Sequence, residues 1–120
     1  MIAIAAAEGQ LYTELAARDR MPEGAVCLTA TEKGNVIGRI WYAVTEKRAE
    51  LLFLEAGEEV LREGLVRAAL NAAELAGARE AFCRCADMAP LLERLKFLRG
   101  DGGWSVSIGE FFSRPCQGHQ

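Results

Sequence analysis

The chain has 120 residues, of which 51% are hydrophobic and 26% charged, with a formal net charge of -3. That length suits one domain around one core, residues 1–120, and folding buries roughly two thirds of the surface an unfolded chain exposes. Acids and bases are interspersed, so the basic stripe with interleaved aromatics that nucleic acid needs is missing, and nucleic acid is excluded as a partner.

The opening "MIAIAAAEG" is too short an apolar run for a spanning helix and carries no basic leader. A short strand within "MIAIAA", no membrane partner and a cytoplasmic location are expected. "EGQLYTELAARDR" places Leu11, Leu15 and Tyr12 at helical spacing and stops at Met21-Pro22, completing an N-terminal strand and helix over 1–24. Two hairpins follow over 25–56. Lys33-Gly34-Asn35 turns the chain between two β-prone runs, and Thr45 to Arg48 turns it again before the buried strand Leu51 to Leu54. Trp41 and Tyr42 are adjacent on a strand and must face opposite sides, one into the core and the other towards a groove or partner surface.

The segment "GEEVLREGLVRAALNAAELAG" has Val60, Leu61, Leu65, Ala68, Ala69, Ala72, Leu75 and Ala76 at 3.6-residue spacing. Glu59, Glu63, Arg67, Asn71 and Glu74 take the other face, and Gly77 is a natural helix stop. "AREAFCRCA" then reads as a strand with Ala81, Cys83 and Cys85 on one face. "APLLERLKFL" reads as a helix with Pro90 in its first turn, ending before Gly100-Asp101-Gly102-Gly103. "WSVSIGEFF" reads as a closing strand with Trp104, Val106 and Ile108 on one side, and Phe111-Phe112 ask for cover on both faces; 113–120 is a tail containing His119. Cys27, Cys83, Cys85 and Cys116 form no C-x-x-C pair, so reduced thiols and no metal are expected. The fold class is therefore α/β (α+β): a mixed, mainly antiparallel sheet with helices on both faces, in the order β-α-β-β-β-α-β-α-β.

That order, with "LLFLEAGEEVLREGLVRAALNAAELAGAREAFC" followed by "LLERLKFL", resembles the GNAT N-acyltransferase superfamily over roughly Ala25 to Phe112, with 57–112 as the α-β-α-β half. Members carry a loop of pattern Arg/Gln-x-x-Gly-x-Gly/Ala at the start of the long helix, where free amides and the helix dipole hold the acetyl-CoA pyrophosphate. On that pattern Gly64 matches the first glycine, Leu61 stands at the Arg/Gln position with Arg62 one place away, and Val66 stands at the second small residue. Leu92 sits where many members have a Tyr that protonates the departing thiolate, and Lys96 replaces the glycine of their "YEKLGF" pattern. Glu55, Glu58, Glu59 and Glu63 surround the segment, and carboxylates there suit an unliganded helix start and repel phosphate.

The resemblance implies acetyl-CoA as cosubstrate, contacted by Leu54, Ala56, Arg62, Gly64 and Leu65. It implies acetyl transfer to a small-molecule or peptide amine, with Glu55 at the strand end as base and Cys85 or Ser105 as stand-in acids. The other reading is a catalytically inactive interaction or dimerisation module of the same fold, a homodimer built on an exposed strand or aromatic surface. The discriminating feature is the backbone from Gly57 to Gly64: an open loop with free amides, or the first turns of a continuous helix.

Overall fold

The computed structural model describes residues 1–113, so Cys116 and His119 lie outside it. In chain order the elements are β1 (Ile2–Ala6), α1 (Gly9–Asp19), β2 (Val26–Glu32), β3 (Asn35–Thr45), β4 (Arg48–Ala56) and α2 (Glu59–Leu75). They continue with β5 (Glu80–Cys83), a 3₁₀ turn (Ala86–Met88), α3 (Ala89–Arg94), β6 (Leu98–Gly100), β7 (Gly103–Ser107) and α4 (Ile108–Ser113). All seven strands join one sheet in the order β1-β2-β3-β4-β5-β7-β6. Every pairing is antiparallel except β4 with β5.

The turns carry backbone that few residues adopt. Lys33 and Gly34 both have positive φ between β2 and β3, the two-residue geometry whose twist matches a hairpin. Gly77, at φ 103, ends α2, and the Ala78 amide reaches back to the Ala73 carbonyl at 2.9 Å. Lys96, at φ 74, ends α3 in the same way, with the Phe97 amide on the Leu92 carbonyl at 2.9 Å.

The sheet is covered on both faces. On one, α2 lays Leu65, Val66, Ala69, Leu70 and Ala73 over Leu28, Ala30, Ile40, Tyr42, Leu51 and Leu54, joined by Leu91, Leu92, Ile108 and Phe111. On the other, Leu15 of α1 packs with Cys27 and Trp41, flanked by Tyr12, Leu52 and Phe53. Trp41 and Tyr42 are therefore both core, one beneath each layer, and neither lines a groove.

Four expectations about elements change. The strand "AREAFCRCA" ends at Cys83, because Cys85 has already turned towards the 3₁₀ segment. The helix read over "APLLERLKFL" stops at Arg94, and Leu98–Gly100 instead forms a hairpin strand with β7. "WSVSIGEFF" is a strand only to Ser107, after which Ile108–Ser113 is helical and buries Phe111, leaving Phe112 exposed. Finally, Val60 and Leu75 fit the apolar spacing of α2 but are each 83% exposed, because the helix rests on the sheet with a narrower stripe than its sequence offers.

Two glycines make opposite demands. A Cβ on Gly103 would lie 2.2 Å from the Cys83 carbonyl oxygen, whereas one on Gly64 would meet nothing within 4 Å. Gly103→Ala is expected to cost about 3 kcal/mol, and Gly64→Ala to add about 0.8 kcal/mol of helix stability. Urea unfolding of the two variants beside the parent chain measures both.

Candidate active site

Two neighbouring strands that stop being neighbours create the site. Parallel pairing of β4 and β5 covers Arg48 to Leu51 against Glu80 to Cys83 and goes no further, while β4 stays paired to β3 as far as Ala56. At the same point β4 carries an extra residue: Trp41 pairs with Phe53 and Tyr42 with Leu51, leaving Leu52 as a bulge. A bulge bends its strand and increases local twist. From Leu52 to Ala56, then, β4 offers β5 an edge with no strand partner.

Cys85 sits at this parting. Its half-buried thiol donates to the Leu52 carbonyl at 3.3 Å, and its amide lies 3.4 Å from the Cys83 sulfur. Burial raises its pKa above the ordinary thiol value, so it stays protonated at neutral pH. Burial pushes the Cys83 thiol up to about 12, and that residue is plain core. Ser105 belongs to β7 and pairs with Phe82, while its neighbours Trp104 and Val106 enter the core beneath α2 and α3. By strand alternation it lies on the opposite face of the sheet from Leu92.

The backbone from Gly57 to Gly64 resolves the discriminating question in favour of helix. Only Gly57 and Glu58 separate β4 from α2, and the Arg62 amide already bonds the Glu58 carbonyl at 2.9 Å. Gly64 lies within the helix, so its amide is spent and it forms no phosphate cradle. Leu65 of α2 is fully buried and Leu54 of β4 nearly so, both in the core between α2 and the sheet, and neither side chain lines an open edge. What the helix start does offer is the amides of Glu59, Val60 and Leu61, which precede the first intrahelical donor. Ala56 ends β4 directly before them.

The acids around that start are less hostile than their sequence suggests. Arg94 of α3 binds Glu59 at 2.6 Å and Glu63 at 3.2 Å, Arg67 binds Glu63 at 3.0 Å, and Arg62 lies 3.8 Å from Glu59. The hydrogen bond from Arg67 holds the Glu63 carboxyl below the usual glutamate range. Arg94 is 35 residues from Glu59 in the chain, so nothing local in the sequence marks it.

Glu55 is exposed at the end of β4, opposite Arg39 of β3 and on the α1 side of the sheet with Phe53. Arg39 is itself clamped. Its guanidinium donates twice to Asp19, at 2.7 and 2.8 Å, and lies 5.1 Å from the Phe53 ring centre, while the Trp41 indole also donates to Asp19 at 2.7 Å. This cluster ties the last residue of α1 to β3. The strand pattern does not reveal it, because a charged residue ending a helix reads as solvated.

No protein-family model and no curated protein sequence matches the chain. Solved structures do match. A protein of Desulfovibrio desulfuricans described as a GNAT-family acetyltransferase aligns over 90% of this chain and 99% of its own at 15% identity and TM-score 0.74. The ribosomal-protein-S18-alanine N-acetyltransferase of Escherichia coli aligns over 98% of both chains at 15% identity and TM-score 0.71. A GNAT-family acetyltransferase of Elizabethkingia anophelis, with acetyl-CoA bound, aligns over 83% of this chain and 78% of its own at 13% identity and TM-score 0.68. At such identities the shared property is architecture: the chain has the GNAT acyltransferase fold.

The Asp19 side chain is only 3% exposed, and its hydrogen bonds from Arg39 hold its pKa below the ordinary aspartate value. Its stabilisation is complete above about pH 4, the unfolded value, and is lost as pH falls through the lower folded value. Asp19→Asn is expected to cost about 3 kcal/mol at neutral pH by stranding Arg39, and to flatten the acid limb of the stability profile. Denaturant melts from pH 7 down to pH 2 measure both effects, taking those limits as roughly spanning the aspartate range.

Proposed function

We propose that the chain binds acyl-CoA along the free edge of β4 and transfers the acyl group to an amine. The observation that carries this reading is the parting of β4 from β5 after Leu51 and Cys83, directly before the start of α2. An extended ligand arm can occupy the strand edge from Leu52 to Ala56, hydrogen-bonding as a strand would. Its phosphates would meet the free amides of Glu59, Val60 and Leu61, with Arg62 and Arg94 supplying the charge that Leu61 lacks. The acetyl-CoA of the Elizabethkingia anophelis protein, and the CoA of an acetyltransferase from Bacillus subtilis with TM-score 0.63 and 14% identity, support the ligand class.

Bound acetyl-CoA supplies an activated thioester. The chain's own part is to hold protons in the right places. Glu55, at the strand end and exposed to solvent, is the group to accept a proton from an incoming amine. Cys85, protonated and touching β4 at the parting, is the group to donate one to a departing thiolate. Leu92 has no proton to give and is fully buried. The acceptor is a small-molecule or peptide amine arriving from solution.

A second reading, the same fold without catalysis, is favoured by Gly64 lying inside α2 and by Leu92. Calorimetric titration with acetyl-CoA separates the two. Micromolar binding is expected, weakened about tenfold in Arg94→Ala, the value of one hydrogen bond to a charged group. Absence of both heat and thermal shift at millimolar ligand would sink the proposal and leave the non-catalytic reading. If binding occurs, Cys85→Ala is expected to lower kcat while leaving the acetyl-CoA Kd unchanged.

A further inference from the structure

We infer that β1 is a self-pairing edge, joining two copies of the chain into one continuous sheet through antiparallel β1–β1 contact. The first observation is which backbone groups of β1 point away from the sheet. β1 pairs with β2 so that Ala3 faces Thr31, Ala5 faces Thr29, and the Ala7 amide donates to the Cys27 carbonyl at 2.9 Å. Hydrogen-bonded and non-hydrogen-bonded pairs alternate along an antiparallel ladder. Ala3 and Ala5 therefore share the bonding class of Ala7, and the amides and carbonyls of Ile2, Ile4 and Ala6 point outward, where the order of strands places no neighbour.

The second observation is that, among the described residues, no strand or charge guards this edge. All five residues of β1 are exposed, none is charged, and Ile2 and Ile4 keep 45% and 39% of their surface in water. Sheet edges are ordinarily protected by charge, proline, brevity or a covering element. The opposite edge shows the contrast: β6 has only three residues and carries Arg99.

The third observation is that the outward groups fit their own copy. A two-fold axis through Ile4 sets Ile4 against Ile4 of the second copy, and Ile2 against Ala6. All three outward residues then fall in hydrogen-bonded pairs, large side chain beside small. Their partners Ala30 and Leu28 lie in the core beneath α2, so these side chains meet on that same side of both sheets. A residue on a two-fold axis meets itself, so a charge at that position would repel its own copy. Ile4 carries none. The occupant is thus a second copy of this chain, and five-residue strands bury less than a standard interface, giving a reversible dimer. The inference does not depend on acyl-CoA binding.

Sedimentation equilibrium of the full chain tests it, together with amide hydrogen exchange at low and high protein concentration. The expected mass rises with concentration from 13.1 kDa towards twice that value. Exchange at Ile4 should slow as concentration rises, while Ala3 and Ala5 are protected throughout. Ile4→Lys should weaken association by about tenfold or more, and Leu98→Lys on the other edge should leave it unchanged. A chain that stays at 13.1 kDa, an Ile4 amide whose exchange ignores concentration, or a dimer broken by Leu98→Lys but not by Ile4→Lys would each overturn the inference. Should Ile4→Lys fail to fold, the exchange measurement on the parent chain still decides.

Discussion

The arrangement of this molecule depends on four residue pairs. Arg48 to Leu51 bind Glu80 to Cys83 in parallel, and there the pairing stops. Had β4 and β5 run together for the full length of β4, the sheet would have been closed and its central strands saturated. Instead the bulge at Leu52 turns β4 aside, the chain of β5 folds away through Cys85 into the 3₁₀ turn, and a half-length of central strand keeps β3 on one side and has no strand partner on the other. An unpaired edge in the middle of a sheet costs backbone hydrogen bonds, and α2, starting after only two intervening residues, adds three unspent amides at the same end. These are the features a polar, extended ligand can satisfy.

The layers on the two faces hold that opening in different ways. Beneath α2 the attachment is apolar, made by Leu65, Ala69 and Ala73 over small and branched strand residues, with Gly38 leaving only enough room for Leu61, Leu65 and Ala56 around it. Beneath α1 the apolar patch is smaller, and a buried ion pair supplements it. Asp19 lies at the end of α1, where the helix dipole disfavours a carboxylate. Arg39 and Trp41 offset this by surrounding it with donors. The same guanidinium faces Glu55 along the strand pair, so the group that sets the position of α1 also sets the electrostatic surroundings of the proposed base.

Much of the architecture was legible because hydrophobic spacing reports what lies against a sheet. α2 follows from such spacing, the meander from β-prone runs separated by turn residues such as Lys33-Gly34-Asn35, the two-faced layering from the order of the elements, and Gly77 marked a helix end by conformation. The misread segments are those where spacing is short or ambiguous. Ile108 continues the alternation of Trp104 and Val106 yet starts a helix, and three residues at Leu98–Gly100 are too few for a period to register. The site was less legible. Aligning Gly64 to a loop pattern placed a cradle where there is a helix interior, and Arg94 and Cys85 gain their positions from tertiary approach to Glu59, Glu63 and Leu52.

Lys96 gives one of these departures a different meaning. It replaces a glycine of the pattern it was set against, yet its backbone is left-handed, the conformation glycine adopts most readily. Lysine makes here a bend that glycine would make at less cost, at a local penalty of roughly 1–2 kcal/mol, and the Phe97 amide on the Leu92 carbonyl holds it in place. Shape and spelling thus part company at this position: the letter departs from the pattern, while the main chain takes the conformation a glycine would favour.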